Sequence, residues 1–249
     1  MTRFGLTILL LYSLSTSWAQ EITWQRTLVH RYAFYVVTVT PADEVLAAGS
    51  SPSSLYRSTD SGESWSQIPF VTLSNYPASI IALDSGVVLV GTEGDWIFRS
   101  SDNGASWNQI MLGSSRVFSF VRKSRGLLFA ATLPGDSGRV FRSTDEGLSW
   151  TRVGQGITTP FVMDIALAPN GDLYAAAKNG VYRSSNNGDS WLGPYLDGID
   201  VRSVAVTTYG KVFAGTFNGR ILTSQDSGVS WDSSGSGLLT DWIHDILVT

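Results

Sequence analysis

Five segments of this 249-residue chain carry one eight-residue pattern, Ser-x-Asp-x-Gly-x-Ser-Trp, and its spacing constrains the fold more than any other feature. The segments are Ser58 to Trp65, Ser100 to Trp107, Ser143 to Trp150, Ser184 to Trp191 and Ser224 to Trp231. Asn186 stands in the fourth where the others have Asp60, Asp102, Asp145 and Asp226. Trp24 extends the tryptophan series without a box before it. Trp24 and the five box tryptophans follow one another at intervals of 41, 42, 43, 41 and 40 residues.

Between boxes the chain repeats a strand pattern. An alternating apolar strand opens each unit, as in Val162-Met163-Asp164-Ile165-Ala166-Leu167 and Val201-Arg202-Ser203-Val204-Ala205-Val206. Turn sequences such as Pro169-Asn170-Gly171-Asp172 and Asp84-Ser85-Gly86 follow, rich in residues that tolerate positive φ. The second strand ends in small residues: Ala47-Ala48-Gly49, Val90-Gly91, Ala130-Ala131, Ala175-Ala176 and Ala214-Gly215. A third strand reads apolar, aromatic, Arg, Ser, as in Val140-Phe141-Arg142-Ser143. The box turns the chain and its Trp opens a fourth strand. Alternation of period two and 25 glycines exclude a helical solenoid. Four antiparallel strands per 41 residues make a propeller blade, and blades stack radially because one alone cannot cover both of its faces.

The expected fold is therefore an all-β propeller with blades over about 30–72, 73–113, 114–157, 158–197 and 198–237. Residues 238–249 open a further blade with its inner strand at Ile243 to Val248, and an outer strand surrounds Trp24. An inner and an outer strand cannot pair without the two between them. The expectation is thus a truncated sequence whose parent closes at six or more blades.

Residues 1–19 read as an export signal. Arg3 gives the positive start, Phe4 to Leu11 the apolar stretch and Ser17-Trp18-Ala19 the cleavage site before Gln20. That stretch is too short to span a bilayer, which takes roughly 20 apolar residues, and no later segment is longer, so no membrane insertion is expected. The chain has no cysteine, which excludes disulfides, thiol nucleophiles, thiolate zinc and a lipoprotein anchor. Export without disulfides suits a bacterial periplasm or cell exterior. A net charge of −4 and the lack of any basic run argue against nucleic acid as a partner.

Every element of the box has a folding role. The Asp or Asn accepts hydrogen bonds from N–H groups just downstream, the Gly supplies positive φ, and the Trp pins the turn. Asn186 keeps the acceptor oxygen, so the fourth box should form. The motif resembles the Asp box of the bacterial neuraminidase repeat, shared by sialidases, reducing-end xyloglucanases, sortilin-type receptors and photosystem assembly factors. The resemblance covers roughly residues 21–249 and implies the fold, with the boxes at the edge away from any active site. It leaves function open, because one blade type carries unrelated activities.

A sialidase would need an arginine triad, yet the nearest string to its Arg-Ile-Pro is Gln67-Ile68-Pro69. Arg57, Arg99, Arg142 and Arg183 recur beside the boxes and read as solvated residues whose stems cover aromatics. A xyloglucanase would need two facing carboxylates, drawn from Asp95, Asp136, Asp164, Asp200, Asp241 and Asp245. Asp164 and Asp245 share an inner-strand column with Val36, Ile80, Ser119 and Ser203 and read as lining a wet channel. Gly135-Asp136-Ser137-Gly138 echoes a serine-protease turn, but Arg139 follows it, and His30 and His244 have no catalytic context. No calcium loop, phosphate loop or His-rich metal cluster is present, so neither a cofactor nor a metal is expected.

Chain direction places the loops between blades and those between strands two and three together, opposite the boxes, on an open face. Trp96 and Trp242, each in an Asp-Trp-Ile triplet, fall outside the tryptophan period there, near Tyr76, Arg116, Phe161, Asp200 and Arg202. Aromatics beside polar groups suit a sugar ring or a protein hot spot, and equally the capping of blade cores. The reading is an exported, non-catalytic binding or scaffold module for a protein or carbohydrate ligand, with Trp242, Trp96, Tyr76, Arg116, Arg202 and Asp200 as ligand-binding residues. A glycosidase of sialidase or xyloglucanase type is the first alternative, and an assembly factor for a membrane complex the second.

Overall fold

Each unit folds as its alternation dictates, into a four-stranded antiparallel sheet whose strands lie in sequence order. A computed structural model describes residues 34–50, 53–69, 76–94, 96–113, 116–133, 140–234 and 242–248. The export signal, Trp24, His30, Asp95, Gly135 to Arg139 and Asp241 lie outside the described residues. Blade one holds β1 (Phe34–Val39), β2 (Val45–Ser50), β3 (Ser53–Ser58) and β4 (Ser66–Ile68). Blade two holds β5 (Pro77–Ala82), β6 (Val88–Thr92), β7 (Trp96–Ser100) and β8 (Asn108–Met111). Blade three holds β9 (Val117–Ser124), β10 (Leu127–Thr132), β11 (Val140–Ser143) and β12 (Thr151–Val153). Blade four holds β13 (Val162–Leu167), β14 (Leu173–Ala177), β15 (Gly180–Ser184) and β16 (Leu192–Tyr195). Blade five holds β17 (Val201–Val206), β18 (Val212–Thr216), β19 (Ile221–Ser224) and β20 (Asp232–Ser234).

The apolar cores lie in the seams between blades. Leu46 and Leu55 of blade one meet Val88 and Phe98 of blade two, and Phe129 and Val140 of blade three meet Ile165 and Tyr182 of blade four. Four of the box tryptophans show the same rule. Trp107, Trp150, Trp191 and Trp231 each pack into the seam with the preceding blade, while each indole donates to its own box glycine carbonyl at 2.8–3.2 Å.

Every innermost strand breaks register near its start, at residue 35, Ala78, Phe118, Met163 and Arg202, and β9 breaks a second time at Lys123. A bulge of this kind re-aims the side chains around it. The column facing the small residues of the second strand is then Val36, Ser79, Ser119, Asp164 and Ser203. Ser79, rather than the expected Ile80, fills it in blade two, because bulge and partner strand set the register there. Small partners are required: a Cβ on Gly91 would lie 2.3 Å from Ser79 Oγ and 2.7 Å from Val117 Cβ. Ile243 sits on Gly215 and Ser203 as Val117 sits on Gly91 and Ser79, and its N–H donates to the Thr216 carbonyl at 3.0 Å. Residues 242–248 thus start along a further inner-strand slot, although they form no ladder among the described residues.

The boxes close as their composition requires. In the third, Ser149 N–H and Oγ–H donate to Asp145 Oδ1 and Oδ2 at 2.9 and 2.5 Å, and Gly147 N–H donates to Ser143 Oγ at 2.8 Å. Asn186 accepts from Ser190 N–H at 3.0 Å and donates to Ser190 Oγ at 2.8 Å, so the fourth box keeps the same frame. The residue before each glycine also takes positive φ, 55–61° at Ser61, Asn103, Glu146, Asn187 and Ser227. Asp145→Ala is expected to destabilise by about 1 kcal/mol, since water reaches the freed donors. Urea unfolding checks it, and an unchanged midpoint would count against a folding role for the box.

The periodic arginines do more than cover aromatics. Arg57 donates to the Asn103 carbonyl, Arg99 Nε to that of Glu146 at 2.9 Å, and Arg142 Nη1 to that of Asn187 at 3.0 Å. Each arginine therefore latches onto the positive-φ residue of the next blade's box, a contact that sequence reading treated as solvent.

Candidate functional site at the channel mouth

The five inner strands and residues 242–248 surround an axial cavity of about 860 Å³. In blades two to five the bulges each aim one residue into it, and Ala78, Phe118, Met163 and Arg202 all line its wall with His244. Above this layer runs a rim held by one repeated backbone bond. Glu93 N–H donates to the Tyr76 carbonyl, Leu133 to Arg116, Lys178 to Phe161 and Phe217 to Asp200, at 2.8–3.1 Å. Because Ile243 is the counterpart of Val117, Trp242 is the rim counterpart of Arg116. Tyr76, Arg116, Phe161, Asp200 and Trp242 are therefore one residue column, brought to the same edge by the fold.

On the side of blade five the rim becomes a continuous wall. Asp200 holds Arg202 through two contacts, Oδ1 to Nε at 2.8 Å and Oδ2 to Nη2 at 2.9 Å. The guanidinium carbon then lies 4.6 Å from the centre of the Phe217 ring. Phe217 meets Trp242 edge to face at 5.6 Å, and Trp242 meets His244 at 4.4 Å. Phe217 is 45% exposed and Trp242 44%, so this wall presents aromatic surface to solvent with a cation fixed beside it. Lys178 stands 4.8 Å over the Phe161 ring on the neighbouring blade.

Of the residues expected to bind ligand, Asp200, Arg202 and Trp242 come together, and Tyr76 and Arg116 lie farther around the same rim. Trp96 does not join them, because it packs against the apolar seam of blades one and two. Phe217 and His244 were missed. Their signal was positional: Phe217 follows the small-residue strand end, and His244 is the bulge-layer counterpart of Arg202.

Deeper in the channel, Asp164 Oδ1 accepts from Ile165 N–H at 2.8 Å and Oδ2 from Val204 N–H on β17 at 3.0 Å. Ser119 on β9 bonds the same carboxylate. One side chain thus ties the inner strands of blades three, four and five. Burial lifts its carboxyl from 3.8 to about 6, partly offset by these bonds, and the charge of Asp245 pushes the same way. Two carboxylates with one pKa raised is the electrostatic pattern of a general acid. Here, however, both Asp164 oxygens already serve as acceptors that tie neighbouring inner strands together. Among the described residues, no group of three His, Asp or Glu side chains is placed to hold a metal ion.

Five four-stranded blades around this channel, four of them seamed by the tryptophan, arginine or tyrosine contacts of a box turn, define an Asp-box β-propeller. A family model described as photosynthesis system II assembly factor YCF48 matches residues 15–240, and the chain belongs to that family. A structure of YCF48 bound to D1 peptide superposes with a TM-score of 0.62 at 17% identity, over 81% of this chain and 66% of that one. YCF48 from Cyanidioschyzon merolae gives 0.60 at 17% identity, over 82% and 72% of the two chains. An ancestral GH74 enzyme gives 0.71 at 21% identity over 84% of this chain, which spans only 32% of that enzyme. No curated protein matches the chain.

Proposed function

We propose that this propeller is an exported, non-catalytic module that grips an extended segment of a partner protein across its channel mouth, as an assembly factor does. The observation that carries this reading is the wall of Asp200, Arg202, Phe217, Trp242 and His244. It offers exposed ring faces for apolar side chains, and a pre-positioned guanidinium for a backbone carbonyl or carboxylate. Asp200 pairs with that guanidinium and bonds its Nη2, which fixes its plane and lowers the ordering cost on binding. The bound D1 peptide in one YCF48 structure supports a peptide as the kind of ligand.

The experiment is a tiled panel of peptides from exported and membrane proteins of the same organism, read by fluorescence anisotropy. Trp242→Ala should weaken the best peptide by about 2 kcal/mol, roughly thirtyfold, as hot-spot aromatics do. Stability should change by less than about 1 kcal/mol, because nearly half of the residue already faces solvent. A panel without binders, or a binder indifferent to Trp242→Ala, would overturn the proposal.

The glycosidase reading rests on Asp164 and Asp245 sharing the channel. Hydrolysis of a xyloglucan oligosaccharide that is lost in Asp245→Asn would favour it over the binding module.

A further inference from the structure

Three seams are pinned at their outer corner by an arginine of the preceding blade, and the fourth is built differently. Asp172 stands at the position of Glu44, directly before the second strand of its blade. Arg57 pairs with Glu44 at 3.4 Å and still reaches the next box. Asp172 is one methylene shorter. It draws Arg183 back, Nε at 2.8 Å and Nη2 at 2.6 Å from the same carboxylate oxygen. In place of an arginine, the Tyr174 hydroxyl meets the fifth box at the Ser227 side chain.

A cavity of about 310 Å³ remains at this corner, between blades four and five. Pro169 and Asn170 form one bank, Thr208 and Tyr209 the other, and Tyr174 and Ser227 the floor. Among the described residues that line it none is charged. Tyr209 stands at the tip of the turn from Thr207 to Gly210 and is 96% exposed, the most exposed large hydrophobic among the described residues.

We propose that this corner is a carbohydrate subsite taking one neutral hexose unit of a glycan, independent of the channel mouth. The volume lies at the small end of ligand pockets. The Thr208 hydroxyl offers a donor and an acceptor together, and Asn170, whose amide bonds Asp172 through both ends at 3.0 Å, keeps a second N–H and a second lone pair for a sugar's hydroxyls. An exposed aromatic face suits the apolar face of a pyranose. A phosphate or carboxylate ligand would need a cation, and Arg183 is committed to Asp172.

The test is saturation-transfer NMR on the full chain with lactose, cellobiose, maltose, mannobiose and sialyllactose as probes. At least one neutral disaccharide should receive saturation on a single ring. Tyr209→Ala should weaken it about tenfold or more, and Tyr209→Trp should retain it. The melting temperature should hold in both variants, and Trp242→Ala should leave binding unchanged. Silence from every neutral disaccharide, a signal that survives Tyr209→Ala, a preference for sialyllactose, or loss on Trp242→Ala would each overturn the assignment.

Discussion

Replacing Trp191 by alanine is expected to destabilise the protein by about 3–5 kcal/mol, the cost of deleting a fully buried large aromatic. Trp191 is 3% exposed, whereas the other box tryptophans are only half-buried. Its ring fills the seam of blades three and four beside Phe129, Val140, Ile157 and Tyr182. Its indole N–H bonds the Gly188 carbonyl at 3.0 Å, and its backbone N–H bonds the Gln155 carbonyl at 2.8 Å. The approach of Gly156 is as tight, since a Cβ there would come within 2.2 Å of the Trp191 carbonyl oxygen. Little can collapse into the space left behind. Urea unfolding of Trp191→Ala beside Trp107→Ala checks this, and a cost at position 191 no greater than at 107 would contradict it.

Stability should fall as pH rises from about 4 to 7, through Asp164. Its carboxyl titrates near 6 in the fold against 3.8 when unfolded, so between those values the native state binds the extra proton. The contribution is complete below the unfolded value and is lost as pH passes the folded one. A shift of about two units corresponds to something on the order of 2–3 kcal/mol. The box carboxylates slope the other way. Hydroxyl and amide donors of Ser64, Ser106 and Ser230 hold Asp60, Asp102 and Asp226 down to about 2, so their contribution disappears as pH falls from about 4. The combined profile should peak near pH 4–5. Asp164→Asn should flatten the neutral limb and spare the acid one, as urea midpoints at pH 3, 4, 5, 6 and 7 would report. An unaltered neutral limb in the variant would assign the slope to another group.

The architecture was legible because every level of the sequence agreed: box, turn, small-residue strand and period all specify the same blade. The register of blade two was less so. A bulge at Ala78 leaves no mark in composition, and counting from one repeat to the next placed Ile80 where Ser79 sits. The seams were hidden for a related reason. A periodic arginine beside a turn looks solvated until the neighbouring blade is set against it, and only then does the carbonyl of Asn103, Glu146 or Asn187 come within reach. At the channel mouth, Asp200, Arg202 and Trp242 stood out by type. Trp96 is the same residue type in the same triplet, but it packs into a seam, and burial is a three-dimensional fact.

The latches also give the ring a direction. Arg57, Arg99 and Arg142 sit on the earlier blade and their acceptors on the later one, and Leu89, Phe129 and Tyr174 likewise wait for the box glycines Gly147, Gly188 and Gly228. A ribosome releases the donor about 45 residues before the turn that it grips. Each seam can therefore close as soon as its own box has emerged, with no wait for the far side of the ring. Vectorial synthesis and blade order coincide, and the growing protein buries its sticky faces one at a time.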